Sequence, residues 1–347
     1  MKSYQRRYFD EGGPPLSSIG ETDLLARLRA IARRSGSLGG LAVGPGDDAA
    51  VWRPPPGSHL VMSQDCLVEG IDFRREWIRP AQLGRRALIV ALSDLAGMGA
   101  RPAYCLATLC APGSTAVDDV LALQEGLCAA AAAAACAVVG GDVSDIQGPL
   151  VMEVSVGGTI DPGAALRRDA GMPGDELVVT GVLGRAAAGL QILREPALRR
   201  AAGADAEIWV AAQLEPTARL AEGQALVELG IRCGGDLSDG LLAEASRTAD
   251  ASGCAAELWL DSVPVDPALA TVFPSRWVDH ALGGGEDFEL LAAVAPAALE
   301  RLPSDGAPAP PRLTVVGRLV EGSGLRLLDR EGGPLRELPP MTSRHYG

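Results

Sequence analysis

Aspartates and glutamates set beside glycine or serine recur at six places along the chain. They are Gly46-Asp47-Asp48, Ser63-Gln64-Asp65, Ser93-Asp94, Gly140-Gly141-Asp142, Asp236-Leu237-Ser238-Asp239-Gly240 and Gly283-Gly284-Gly285-Glu286-Asp287. Most interrupt apolar segments, so their carboxylates are expected to converge at the ends of core elements. A close pair of carboxylates repels by about 4 kcal/mol at an effective dielectric near 20. A cation relieves that repulsion, and carboxylate and hydroxyl oxygens suit hard divalent ions, chiefly magnesium. The first expectation is therefore a divalent-metal site serving phosphate chemistry.

Composition narrows the means. Lys2 is the sole lysine, and arginine supplies the other positive charges. The body of the chain thus offers no P-loop lysine, Schiff-base lysine or kinase strand lysine. His59, His280 and His345 lie far apart without HExxH-like spacing, which speaks against a histidine-ligated zinc or iron site. A net charge of -13 argues against a nucleic-acid partner. No uncharged apolar run reaches the roughly 18 residues that a membrane helix needs. Met1 to Pro15 lacks the apolar segment of a secretory signal. The seven cysteines form no CxxC pair and read as free thiols in a reducing cytoplasm.

The elements that must position these acids follow from periodicity and turn residues. Helices are expected over 21–33, 82–98, 117–136, 185–193, 217–229 and 241–252. The 117–136 helix includes a seven-alanine run, residues 129–135, which suggests close helix packing. Strands are expected over 49–52, 60–63, 104–109, 137–139, 150–160, 177–180, into 236, 256–260, 288–294, 313–319 and 325–329. A composition shift at Asp161 to Gly174 divides the chain into a tail (1–17), an N-terminal domain (18–160) and a C-terminal domain (161–347). Both domains mix helices and strands, an α/β (α+β) class.

Asp94 is the most informative acid, because a carboxylate in mid-helix on an apolar stripe with Ala87 and Ala91 is costly. The alternative is a satisfied core aspartate. Gly46-Asp47-Asp48 also reads as an acidic turn, and Ser63-Gln64-Asp65 as an ordinary strand end. Gly140-Gly141-Asp142 fits close backbone approach to a phosphate, or else a tight turn. Ser238 or Asp239 fits a helix N-cap, a position that also favours anions. Glycine turns do not explain why Glu286 and Asp287 follow directly. Gly184 to Gly189 has P-loop glycine spacing but continues Leu190-Gln191, so it is read as a plain strand-to-helix turn.

In order and spacing these motifs resemble the thiamine-monophosphate kinase family, within the superfamily of aminoimidazole ribonucleotide synthetase. The resemblance rests on Gly46-Asp47-Asp48-Ala49-Ala50-Val51, Asp65 to Phe73, Leu92 to Ala100, Gly140-Gly141-Asp142, Asp236 to Leu241 and Gly284 to Leu290. It implies a two-domain architecture, with ATP and several magnesium ions in a cleft between domains and homodimerisation through the N-terminal sheet. The implied reaction is transfer of the ATP γ-phosphoryl to thiamine monophosphate. The implied metal contacts are Asp48, Ser63, Gln64, Asp65, Asp94, Asp142, Asp236 and Asp239, with Asp65, Asp94 and Asp236 the most critical. The nucleotide contacts are Gly141, Asp142, Arg168 and Ser238, and the acceptor contacts are Asp72, Glu286 and Ser343. No covalent nucleophile is implied, because the acceptor phosphate is already ionised near neutral pH. Three positions depart from the family pattern. Gln64 stands for threonine, Asp72 for histidine, and Ser343 for an aromatic residue. They leave open a related ATP-using enzyme with another phosphorylated acceptor, and a non-catalytic nucleotide-binding paralogue.

Overall fold

The computed structural model describes residues 8–10, 12–300, 312–329 and 333. The chain forms two compact units: residues 1–95 with 101–160, and residues 96–100 with 161–347.

The first unit is built on a four-stranded sheet in the order β3-β6-β4-β5. Its strands are β3 (His59–Val68), β4 (Arg101–Ala111), β5 (Ala137–Asp145) and β6 (Val151–Ile160), preceded by the small pair β1 (Leu41–Val43) and β2 (Val51–Trp52). β6 runs antiparallel to β3 and β4, whereas β4 and β5 are parallel. Its helices are α1 (Glu21–Ala32), α2 (Pro80–Gly97) and α3 (Val117–Ala133). α2 starts at a proline, where a missing N–H costs nothing. The Gln82 side chain accepts the Arg79 N–H at 3.1 Å, so one of the end's open donors is satisfied.

α2 and α3 approach each other closely, as the alanine-rich sequence suggests. A Cβ on Gly84 would fall 1.9 Å from the carbonyl oxygen of Leu123, and one on Gly126 would fall 1.9 Å from that of Ala81. Each helix thus supplies a glycine against the other's backbone. Gly126→Ala should cost about 3 kcal/mol, because neither backbone can yield without disturbing the other. Urea unfolding checks this, and an unchanged midpoint would refute the packing argument.

The second unit carries a six-stranded sheet in the order β12-β9-β11-β7-β10-β8. Its strands are β7 (Glu176–Thr180), β8 (Cys233–Asp236), β9 (Ala255–Trp259), β10 (Leu290–Val294), β11 (Leu313–Val320) and β12 (Gly324–Leu328). Only the β9–β12 pairing is parallel. The helices introduced here are α4 (Arg185–Arg194), α5 (Arg199–Ala202), α6 (Asp205–Leu214), α7 (Leu220–Glu228) and α8 (Leu241–Ala251). Leu241, Leu242, Ala245 and Ala249 of α8 join the buried cluster over the sheet with Leu177, Val179, Leu258 and Leu291.

Several expected boundaries move. α3 stops at Ala133 rather than Cys136; Ala135 takes a positive φ of 52° and Ala137 already begins β5. β5 runs through Gly140-Gly141-Asp142 to Asp145, so this motif lies inside a strand and not at its end. The physical need for Gly141 is cross-strand: a Cβ there would meet the Ala107 carbonyl oxygen at 2.0 Å. Residues 199–214, for which periodicity gave no element, form α5 and α6 around the fully buried Trp209.

Candidate functional site

In the first unit, β3 alternates its faces, and this separates neighbouring residues of one motif. Ser63 and Asp65 pair across the sheet with Val156 and Val154, both buried, while Gln64 pairs with Ser155 on the opposite face. The Ser63 hydroxyl donates to the Asp94 carboxylate, joining motifs 31 residues apart. Asp94 is half-buried between Ser93 and Leu95, which are fully buried. It lies in the last turn of α2 rather than in mid-helix. There the helix dipole disfavours a carboxylate, so its presence answers to something outside the helix.

The other face carries a second group. Cys66, Glu153, Thr108 and Asp142 fall in one row across β3, β6, β4 and β5. Ser144 Oγ donates to Asp142 at 3.1 Å, and Ser155 Oγ donates to Glu153 at 2.7 Å. A cavity of about 900 Å³ reaches Asp48, Gly141, Asp142 and Glu153, bounded by α1, α3 and the Tyr104 ring. Asp48 and Asp142 therefore share a cavity that Ser63, Asp65 and Asp94 do not line. Asp72, which stands where the family pattern has histidine, accepts the Val68 N–H at 2.8 Å and so braces its own turn.

In the second unit, Asp236 ends β8, is 4% exposed and accepts from Ser238 Oγ at 3.1 Å. Asp239 pairs with Arg247 at 2.5 Å, and Arg168 grips Glu244 through Nε and Nη2 at 2.7 and 2.9 Å. Burial pushes the Glu244 carboxyl above its usual range while Arg168 opposes that shift. The loop bearing Glu286 packs on the Asp236–Gly240 loop: Glu286 N–H donates to the Ser238 carbonyl at 2.7 Å. A Cβ on Gly240 (φ 90°) would fall 2.8 Å from the Gly284 carbonyl. Glu286 itself has φ 70°, a conformation a non-glycine residue keeps only when its surroundings enforce it. Gln213, buried on α6, donates to its carboxylate.

Asp287 has a different task from its neighbour. Its two carboxylate oxygens accept the N–H groups of Gly184 and Ala186 at 2.6 and 2.9 Å, capping α4 from 100 residues away in sequence. Enclosure pushes this carboxyl up to about 7, against the pull of those two amides. The carboxylate fills the anion position at the helix start, which gives a physical reason for the Gly184 turn to hold no phosphate. Sequence reasoning also missed Glu289, which is 4% exposed, grips Arg219 and accepts from Thr180 Oγ1 at 2.6 Å. Glu244 was missed too, though it carried the same signal as Asp94: an acid on the apolar stripe of a helix, three residues after Leu241. Ser343 lies outside the described residues.

His280 is 5% exposed, sets its Nε2 2.8 Å from Gln191 Oε1 and packs edge-on to Phe273. Burial lowers its pKa from 6.5 to about 4, with Arg276 adding to the shift. The unfolded chain then binds the proton more readily than the folded one. This contribution to stability is complete above pH 6.5 and is lost as pH falls toward about 4, by about 3 kcal/mol. His280→Phe should remove that slope from the urea midpoint measured against pH, and an unchanged slope would count against it.

Every candidate ligand is an oxygen donor. Among the described residues, no three His, Cys, Asp or Glu side chains sit close enough to hold an ion alone. Magnesium tolerates that, since it commonly uses one or two carboxylates and completes its shell with water and substrate phosphates. The donor chemistry fits it.

Comparison with known proteins places these features in context. Residues 46–160 match the AIR synthase related protein N-terminal domain, and residues 172–330 match its C-terminal domain. The thiamine-monophosphate kinase of Salmonella typhimurium is 37% identical over 280 residues, covering 80% of this chain and 83% of that protein. The Bacillus subtilis thiamine-monophosphate kinase is 31% identical over 267 residues, covering 77% and 82%. Among solved structures, thiamine-monophosphate kinase from Stenotrophomonas maltophilia K279a superposes with a TM-score of 0.76 at 34% identity, covering 91% of this chain and 98% of that one. AaThiL complexed with AMPPCP and TMP gives 0.71 at 26% identity, covering 94% and 98%. The hydrogenase maturation protein HypE of E. coli, at 22% identity and a TM-score of 0.71, shares the fold.

Proposed function

The chain belongs to the thiamine-monophosphate kinase family, and from that membership we propose that it transfers the γ-phosphoryl group of ATP to thiamine monophosphate, giving thiamine diphosphate and ADP. The observation that carries the reading is the Ser63–Asp94 hydrogen bond, which joins two acidic motifs at a helix end that would otherwise reject a carboxylate. Phosphoryl transfer asks for positioning and charge compensation more than for a covalent catalyst. That demand suits a chain whose sole lysine is Lys2.

Magnesium, when bound, would neutralise and orient the phosphate oxygens. Several ions would be held by separate groups: Ser63, Asp65 and Asp94 on one face of the first unit's sheet, Asp48 and Asp142 with Gln64 on the other, and Asp236 and Asp239 in the second unit. Arg168 supplies N–H donors to the nucleotide phosphates, Ser238 meets them once its hydroxyl turns from Asp236, and Gly141 lets the strand backbone come close to them. Glu286 orients the acceptor. Asp72 keeps the neighbouring turn in shape by accepting the Val68 N–H beside its proposed contact with the acceptor.

The proposal extends to a homodimer in a reducing cytoplasm. Met62 (70% exposed), Leu60 (48%) and Leu106 (38%) are apolar residues on the same sheet face as Gln64 and Asp142, and Leu60 and Leu106 also line the cavity there. The seven cysteines are all free. Among the described residues, no helix is long and apolar enough to cross a membrane. The test is incubation with magnesium, ATP and thiamine monophosphate, with products read by mass spectrometry. Thiamine diphosphate is the expected product; its absence with folded protein would sink the assignment.

A further inference from the structure

Glu244 stands out among the carboxylates because no motif contains it and it is wholly buried. It projects from the first turn of α8 under the Asp236–Gly240 loop. A Cβ placed on Gly235 would fall 1.9 Å from its Oε1, so the carboxylate lies directly on the backbone that leads into Asp236. That contact requires glycine at 235. A buried carboxylate is costly unless cations and donors surround it. Here Arg168 supplies two parallel N–H bonds, and Arg247 adds a second cationic group at 3.8 Å.

Both arginines also matter at their other ends. A guanidinium has five N–H donors in a rigid plane. Glu244 takes the edge made by Nε and one Nη2 hydrogen, so the remaining donors of Arg168 are turned away from Glu244 in a fixed direction. The Arg168 side chain is 45% exposed, while Glu244 is fully covered, so the pair is anchored at its buried end and reaches solvent at the other. Arg247 reaches past Glu244 to Asp239 at 2.5 Å. The result is a chain of alternating charge, Arg168–Glu244–Arg247–Asp239, within one unit.

We propose that Glu244 is a positioning residue, which sets the outer edge of Arg168 for the nucleotide's phosphates and ties it through Arg247 to Asp239. The inference rests on the proposed roles of Arg168 and Asp239 in nucleotide and metal binding. Without Glu244, Arg168 keeps its charge but loses its orientation, and a phosphate must then select one rotamer among many. Nucleotide affinity falls while the acceptor side is untouched.

The test is Glu244→Gln in the full chain, which keeps the shape and removes the charge. Calorimetry should show ATP-magnesium affinity reduced by about tenfold, the range typical of residues that orient a ligand from behind. Steady-state kinetics should show the KM for ATP raised by a similar factor, with the KM for thiamine monophosphate changed less than about twofold. In an Arg168→Ala background, adding Glu244→Gln should change ATP affinity little, because the two act as one unit. Unchanged ATP affinity in Glu244→Gln, or full additivity with Arg168→Ala, overturns the inference. If the glutamine variant does not fold, Glu244→Asp gives the same readout, since it keeps the charge but shortens the reach to Arg168. Wild-type protein that binds ATP without converting thiamine monophosphate refutes the proposed reaction alone, and ATP affinity then decides the role of Glu244.

Discussion

Asp94→Asn should lower kcat by about 10²–10³-fold while leaving the protein folded and slightly more stable. The activity loss follows from removing an ionised oxygen donor where charge must be compensated during transfer; single preorganised electrostatic contacts are worth that much. The stability gain follows from position. Asp94 occupies the last turn of α2, where a negative charge opposes the helix dipole at a cost of about 0.3–1 kcal/mol. Asparagine keeps an oxygen that can still accept from Ser63, so the local hydrogen bond survives. Measuring kcat together with the urea midpoint separates the two effects. Wild-type turnover in this variant would refute the metal assignment, whereas a large loss of stability would mean that Asp94 is a structural core acid.

A large stability effect is expected at a residue with no proposed contact to substrate. Glu289→Ala should destabilise the second unit by about 3 kcal/mol. Glu289 is nearly buried between Thr180, whose hydroxyl donates to it at 2.6 Å, and Arg219, whose Nε donates at 2.7 Å. Breaking such a pair leaves one partner's charge uncompensated, a cost of about 3–5 kcal/mol when both are deep. Arg219 keeps 30% of its side-chain surface exposed, which lowers the figure, since water partly replaces the lost partner. The double replacement Glu289→Leu with Arg219→Met should recover much of the loss, because no charge is then stranded. A double variant no better than Glu289→Ala would show that the packing around Gly181, where a Cβ would meet Glu289 Oε1 at 2.0 Å, dominates instead.

The comparison of chain and structure divides by range. The strand expected over 60–63 stops at Ser63, so only its extension to Val68 shows that Ser63 and Asp65 face away from Gln64, since adjacent strand residues face opposite ways. Helical periodicity does mark Asp94 as out of place, and alanine with glycine marks α3 as a helix that packs tightly. The six acidic motifs and the shortage of lysine are enough to point to metal-assisted phosphate chemistry and its family. These are local properties, carried by residue type and spacing.

Partner choice is not local. Glu286 and Asp287 are adjacent and chemically similar, yet one meets Gln213 on α6 and the other caps α4, with sequence separations of 73 and 101–103 residues. Glu244 lies in no motif and Glu289 only inside the Gly284 to Leu290 stretch without a role read for it, and their worth comes from Arg168 and Arg219, which lie 76 and 70 residues away. Gly141 has the look of a phosphate turn, but its strand position answers to the Ala107 carbonyl opposite. The sequence by itself determined which acids exist and that they sit in or beside core helices and strands, while the element bounds around Asp65, Asp94 and Asp142 moved in the structure. Only the tertiary structure decided which acids brace the scaffold and which remain for ligand, because burial and charge pairing depend on what the fold brings alongside.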